Sequence, residues 1–178
     1  TECATDAIVN AANERSFMAG DMGISGALRN ACESDESPVV GLAKDIYGPN
    51  GKMQDAQNDV PKFHVGVHAA GGLIAQGVKH IIHAVGPRWA DEGPAVKETA
   101  NIVGPQITKT VFTALNCANE LGCKSVTLPA ISGGIFTHTG AGEELQMFEQ
   151  LKAREMLVKA VVLFCKDPRC QLTSVDLV

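Results

Sequence analysis

The chain has 178 residues, 45% of them hydrophobic and 20% charged, with a formal net charge of −5 and a pI near 5.5. That size and apolar share suit one globular domain over residues 1–178, with a continuous core and no room for a second full domain. The acidic balance excludes a protein that coats nucleic acid, since that affinity comes from Lys and Arg on phosphates, but it allows a small phosphate held by backbone N–H groups at a helix start.

Apolar runs rich in Val and Ile alternate with longer amphipathic segments, which is the pattern of an α/β domain. Ala7-Ile8-Val9 reads as a buried strand ending at Asn10. Residues 26–32 read as a helix with Ala27, Leu28 and Ala31 on its inner face. Residues 33–60, polar and punctuated by Pro38, Gly48, Pro49 and Gly51, read as a surface excursion with room for one short helix. Phe63, Val65 and Val67 alternate with His64, Gly66 and His68, a strand with one polar face, and Gly71-Gly72 turns the chain. Residues 78–85 are expected to be another strand, stopped by Gly86-Pro87 because proline offers no donor to a ladder. After a loop around Trp89, a helix is expected over 105–121, with Ile107, Val111, Leu115 and Ala118 inward and Gly122 capping it. Residues 125–131 read as a strand, 143–157 as a helix carrying Leu145, Phe148 and Leu151, and 160–165 as a last strand. Asp167-Pro168 looks like a helix start.

The six cysteines, Cys3, Cys32, Cys117, Cys123, Cys165 and Cys170, are scattered without a C-x-x-C, so reduced and mostly buried thiols are expected over disulfides or zinc. His80 and His83 point to opposite faces of one strand, so no metal site is expected there. Asp6 reads as a surface strand residue and Trp89 as a packing lid over apolar surface. No leader opens the chain, and its longest apolar run, 160–165, is far short of the roughly 20 residues of a membrane helix. A soluble cytosolic protein is expected, without cofactor or membrane partner, as a monomer or a module of a larger polypeptide.

Two loops after apolar strands hold unusual densities of Gly, Asn and Ser. The first runs from Asn10-Ala11-Ala12-Asn13 to Gly20-Asp21-Met22-Gly23-Ile24-Ser25-Gly26, where a glycine-spaced turn feeds a helix whose N–H groups and positive dipole end suit a phosphate. The second is Pro129-Ala130-Ile131-Ser132-Gly133-Gly134-Ile135-Phe136. Here Gly133 and Gly134 permit close backbone approach, and Phe136 offers an apolar plate for a sugar or base. Taken singly, each loop is ordinary turn chemistry. The second also imitates the nucleophile elbow of a serine hydrolase built on Ser132. That alternative is remote, because only His138 follows Ser132 and no carboxylate lies between them.

Taken together, Asp6-Ala7-Ile8-Val9-Asn10-Ala11-Ala12-Asn13, His80-Ile81-Ile82-His83-Ala84-Val85-Gly86-Pro87 and Leu128-Pro129-Ala130-Ile131-Ser132-Gly133-Gly134-Ile135-Phe136 resemble the macro domain family in order and spacing, across nearly the whole chain. The resemblance implies a three-layer α/β/α fold with a mixed central sheet, its first strand falling before Thr1. It implies ADP-ribose, free or on a protein, lying across the C-terminal strand edges, and hydrolysis of mono-ADP-ribose from acidic side chains or its reading without catalysis. Carried over, Asn13 would bond the distal ribose, with Asn10 beside it, and Gly23, Ile24 and Ser25 would line the diphosphate. Ser132, Gly133, Gly134, Ile135 and Phe136 would form the second phosphate loop, with Phe136 against the distal ribose. Val161-Val162-Leu163-Phe164-Cys165-Lys166-Asp167 looks like the adenine-side strand of alphavirus macro domains, which would set Cys165 and Lys166 beside the base. Val60-Pro61 and residues 80–89 resemble instead the macro domains attached to animal ADP-ribosyltransferases.

Three departures stand out. The Asp-Ile pair whose Asp reads the adenine amino group in the family falls before Thr1. The loop from Asn13 to Gly23 is longer than the family pattern, with Asp21-Met22 where glycines are common. Ser25 stands where many cellular hydrolase members have an Asp. The catalytic candidates are therefore Asn13, Phe136 and Asp21, the last as a stand-in that orients water.

Overall fold

The computed structural model describes residues 5–12, 23–32, 45–48, 51–52 and 60–178. The expectations for Cys3, Asn13, Asp21 and Met22, and for most of 33–59, fall outside them. The strands are β1 (Ala7–Ala12), β2 (Asp45–Gly48), β3 (Gly51–Lys52), β4 (Val65–Ala69), β5 (His80–Val85), β6 (Ser125–Leu128) and β7 (Ser174–Leu177), and the helices are α1 (Gly23–Cys32), α2 (Trp89–Glu92), α3 (Ala100–Glu120) and α4 (Glu143–Cys165). Among the described residues these seven strands form one mixed sheet in the order β3-β2-β4-β5-β1-β6-β7. β5, β1, β6 and β7 run parallel, while β4, β2 and β3 join antiparallel at one side.

The central strands are apolar on both faces, as parallel strands covered on both sides must be. Ala7 and Val9 of β1 and Ile82 and Ala84 of β5 pack against α3 and α4. Ile8, Ala12, Ile81 and Val85 face the other way, against Leu28 and Cys32 of α1. The three-layer α/β/α expectation with a mixed sheet is therefore met.

Several boundaries differ from the sequence reading, each for a packing reason. β1 runs two residues past Asn10, because Ala12 still pairs with Val85. The inner face of α1 is Leu28 and Cys32, while Ala27 and Ala31 are exposed. The excursion of 33–60 holds, among its described residues, the paired strands β2 and β3 rather than a helix. Gly71-Gly72 opens a 3-10 turn over Gly71–Gln76. α3 starts at Ala100 and takes in Pro105, since Ala100 and Val103 extend the buried stripe of Ile107, Val111, Ala114 and Ala118. Residues 160–165 are the end of α4 and not a strand. Ala160 and Phe164 prolong the buried row of Ala153, Met156 and Leu157, so the helical period outweighs the β propensity of Val161-Val162. Leu151, expected inward, is exposed. Asp167-Pro168 opens a turn, with the Cys170 N–H donating to the Asp167 carbonyl at 2.9 Å. Cys165 is exposed, while Cys32, Cys117 and Cys123 are buried thiols. No helix among the described residues is long and apolar enough to cross a membrane.

Asp6, read from sequence as a plain surface residue, ties three strand starts together. Its carboxylate accepts from the Lys124 N–H at 2.6 Å and the Ser125 N–H at 3.2 Å, at the start of β6. It also pairs with Lys79 Nζ at 2.7 Å, next to the start of β5. The Lys79 ammonium first, and then the amides, hold its carboxyl at about 2 against an ordinary 3.8. We expect Asp6→Ala to destabilise the fold by about 1–3 kcal/mol at neutral pH. A depressed folded-state pKa means that this contribution is complete above the ordinary carboxylate value and is lost as pH falls through the folded one. Denaturant unfolding of both proteins should therefore show a gap that closes between pH 5 and pH 2, whereas a pH-independent gap would refute the tie.

Candidate functional site

β5, β1 and β6 are parallel neighbours, so their carboxyl ends share one sheet edge: Ala12 is level with Val85, and β6 leaves the sheet after Leu128. In open α/β sheets the crevice outside the carboxyl ends is where ligands bind. α1 points its first turn toward the same edge. Its last residue, Cys32, lies against Gly71, where a Cβ would run into the Cys32 carbonyl. Gly71 follows β4, whose end is level with His80 at the opposite edge of the sheet. The first amides of α1, at Gly23, Ile24 and Ser25, lack intrahelical acceptors and carry the positive end of the helix dipole.

The segment after β6 supplies a second set of donors. Ser132 sits at φ 61, in the left-handed region. Its carbonyl accepts from Trp89 Nε1 at 3.0 Å, and the Phe136 carbonyl accepts from the Trp89 N–H at 2.9 Å. The fully buried Trp89 thus grips this loop at both ends instead of merely covering apolar surface. Gly86 is required: a Cβ there would meet Ile131 Cγ2 and Ser132 Oγ at 2.5 Å each. Gly133 backs onto Ala130 and Ala153, while a Cβ at Gly134 would meet nothing within 4 Å. The Gly134 side of the loop is therefore open to a visitor. Among the described residues, the amides of Gly134, Ile135 and Phe136 have no acceptor. Ile135 is 82% exposed beside a half-buried Phe136. Successive free N–H groups on a fixed turn make an anion-binding concavity.

The far end of the loop is anchored by a buried pair. Glu149 of α4, fully buried, accepts from the His138 N–H at 2.8 Å and meets His138 Nδ1 at 2.6 Å. His138 Nε2 donates to the Gly93 carbonyl at 3.1 Å. Both ring nitrogens are thus occupied away from Ser132, whose buried Oγ has no hydrogen-bond partner among the described residues. The serine-hydrolase alternative loses its base.

The remaining candidates separate clearly. Asn10 lies inside β1, fully buried, with Nδ2 donating to His83 Nδ1 at 3.0 Å. Burial pushes His83 well below its ordinary value, with His68 stacked at 4.8 Å adding to the effect, so a neutral ring accepts this bond. The Asn10 side chain thus braces the α1 face of the sheet. Cys165 and Lys166 sit at the end of α4, and the chain beyond them reaches Lys124, whose carbonyl accepts from the Thr173 N–H at 2.7 Å. That is the amino edge of β6, opposite the loops, so these two residues do not border the crevice, and the likeness of their segment to an alphavirus strand falls with the strand itself. Asn13 and Asp21 lie outside the described residues. Among the described residues, no cluster of His, Cys, Asp or Glu is arranged to hold a metal. Sequence reasoning missed Gly86, Trp89 and Glu149 as supports of the loop; only the Trp in a Gly-Pro loop gave a local signal.

A family model described as Macro domain matches residues 9–139. An ADP-ribose glycohydrolase of Archaeoglobus fulgidus is 31% identical over 140 residues, which cover 76% of this chain and 65% of that protein. An uncharacterized protein of Pyrobaculum aerophilum is 38% identical over 138 residues, covering 76% of this chain and 61% of its own. The chain thus spans about two thirds of these relatives. Among solved structures, an Oceanobacillus iheyensis macrodomain with ADP superposes with a TM-score of 0.63 at 20% identity, covering 98% of this chain and 76% of that one. A Trypanosoma brucei macrodomain in complex with ADP gives 0.62 at 17% identity, with 98% and 58% covered.

Trp89→Phe removes the indole N–H and trims a fully buried ring, leaving the Ser132 carbonyl without its donor. We expect a loss of about 1–3 kcal/mol, together with faster hydrogen exchange in residues 131–138. Unchanged stability and exchange would show that Trp89 does not hold the loop.

Proposed function

Because the chain belongs to the macro domain family, we propose that it binds ADP-ribose, free or attached to a protein, across the carboxyl edge of its sheet. The observation that carries this reading is the row of acceptor-free amides at Gly134, Ile135 and Phe136, on the edge that also receives the first turn of α1. A diphosphate needs several donors and no bulk base, which a net charge of −5 does not hinder. Gly23, Ile24 and Ser25 take one phosphate and residues 132–136 the other, while the Phe136 ring packs on the distal ribose and Asn13 bonds its hydroxyls. We expect micromolar affinity, on the order of −8 kcal/mol. Calorimetric titration tests it: absence of heat at millimolar ADP-ribose overturns the reading. Gly134→Val should weaken binding by about tenfold or more without loss of stability, since a side chain there meets open space in the free protein.

The finer reading is slow hydrolysis of mono-ADP-ribose from acidic side chains, supported by the glycohydrolase relative. Water held near the substrate's own phosphate gives up a proton to that phosphate as it attacks the anomeric carbon, the ester C–O bond breaks, and the protein carboxylate leaves as an anion. Few side chains act chemically, so the rate rests on positioning, where a 1 Å error costs roughly a hundredfold. Asn13 and Phe136 hold the distal ribose, and Asp21 orients the water. A non-catalytic reader of ADP-ribosylated proteins is the second reading, favoured by Ser25 standing where many hydrolase members have an Asp. Release of label from a mono-ADP-ribosylated protein separates the two. We expect Asn13→Ala to lower release more than it lowers binding; release no faster than from a heat-killed control, with binding intact, assigns the domain to reading.

A further inference from the structure

α4 has a second apolar face that the fold does not use. Met147, Leu151, Val158 and Val162 are between 47% and 58% exposed. At 3.6 residues per turn they fall within about 60° of arc, a continuous stripe along the helix. The buried row of Glu149, Ala153, Met156, Leu157 and Ala160 lies on the other side. The same face carries a shallow depression lined by Leu151, Arg154, Glu155, Val158, Lys159, Val162 and Leu163, all on α4. An apolar row of this kind on a globular surface marks a site of association.

We propose that this stripe is the contact between two copies of the chain, packed α4 against α4 in parallel about a two-fold axis running along the helices. The charges select that occupant and that orientation. Arg154 and Glu155 are both exposed and stand on opposite flanks of the stripe. With the axis along the helices, each Arg154 lies beside Glu155 of the second copy, while Met147, Leu151, Val158 and Val162 meet their own counterparts. An antiparallel pair would instead set Arg154 against Arg154 and Glu155 against Glu155. Among the described residues Arg154 makes no ion pair, and Glu155 is joined only to Lys152 of its own helix, at 2.9 Å. A single helix pair buries less than the roughly 1,600 Å² of a standard interface, so the dimer is reversible and micromolar. Its surface lies on the outer side of α4, away from the crevice loops. The sequence reading, a monomer or a module of a larger polypeptide with Leu151 turned inward, does not anticipate such a contact.

Sedimentation velocity of the unmodified protein from micromolar to submillimolar concentration is the test. A monomer–dimer equilibrium is expected. Leu151→Glu should raise its dissociation constant by about thirtyfold or more, because each copy contributes the residue once. Arg154→Glu and Glu155→Arg should each weaken the dimer, and the double swap should regain it. All three positions are solvent-facing, so thermal unfolding of the variants should match the parent and exclude misfolding as the cause. A parent that stays monomeric throughout overturns the proposal and leaves the stripe to another segment or protein. A dimer indifferent to Leu151→Glu, or a double swap that stays weak, overturns it as well.

Discussion

The parallel seating of β1 between β5 and β6 is the constraint on which everything else in this molecule rests. Parallel neighbours send their carboxyl ends to one edge, so the chain leaves β1, β5 and β6 on the same side of the sheet. The register is secured at the opposite edge, where the Asp6 carboxylate gathers Lys79, Lys124 and Ser125. A charged group with several donors is among the stronger local ties a protein can make. Its desolvation cost is outweighed by these bonds, which hold the carboxyl at about 2. Slipping β1 by one residue would break these bonds and would also turn Ile8 and Ala12 from the α1 side to the α3 and α4 side.

A loop that leaves amides unpaired must be held by something other than its own hydrogen bonds. Here the tension is resolved by anchoring on both sides of the open stretch. Trp89 takes the Ser132 and Phe136 carbonyls, and Glu149 takes the His138 amide and ring. Between those anchors the amides of Gly134, Ile135 and Phe136 stay fixed and available. Donors fixed in advance lose little freedom when an anion arrives, which is how affinity is gained without a basic surface. Ser132 at positive φ and Gly86 packed against it are the local strain and the close approach that this arrangement requires.

α4 shows how one helix serves two ends. Its inner face carries both core residues and Glu149, so the helix that closes the sheet also fixes the crevice loop. Its outer face carries an apolar stripe flanked by opposite charges. Because both faces are apolar, the helix has little amphipathic contrast, and that is why its sequence misleads about which side is buried.

What the sequence determined by itself were the features set by local chemistry. Alternating apolar runs announced an α/β sheet, Gly86-Pro87 ended β5, Gly122 with its left-handed φ of 75 ended α3, and the Gly-rich stretch from Ser132 to Phe136 marked an irregular turn after β6. These are legible because turn geometry and strand burial depend on residues close in the chain. The tertiary structure decided whatever depends on a partner far along it. Val161-Val162 has strand propensity, yet Ala160 and Phe164 meet a core already built by α3, and the segment stays helical. β7 pairs with β6 although the residues of Ser174–Leu177 are mostly exposed, because an edge strand is defined by its neighbour's free hydrogen bonds rather than by its own burial. Asp6, Trp89 and Glu149 look ordinary in sequence, since their partners lie at Lys124, Ser132 and His138. Only folding brings those groups within bonding distance, and only then are the strand register and the loop after β6 held in place.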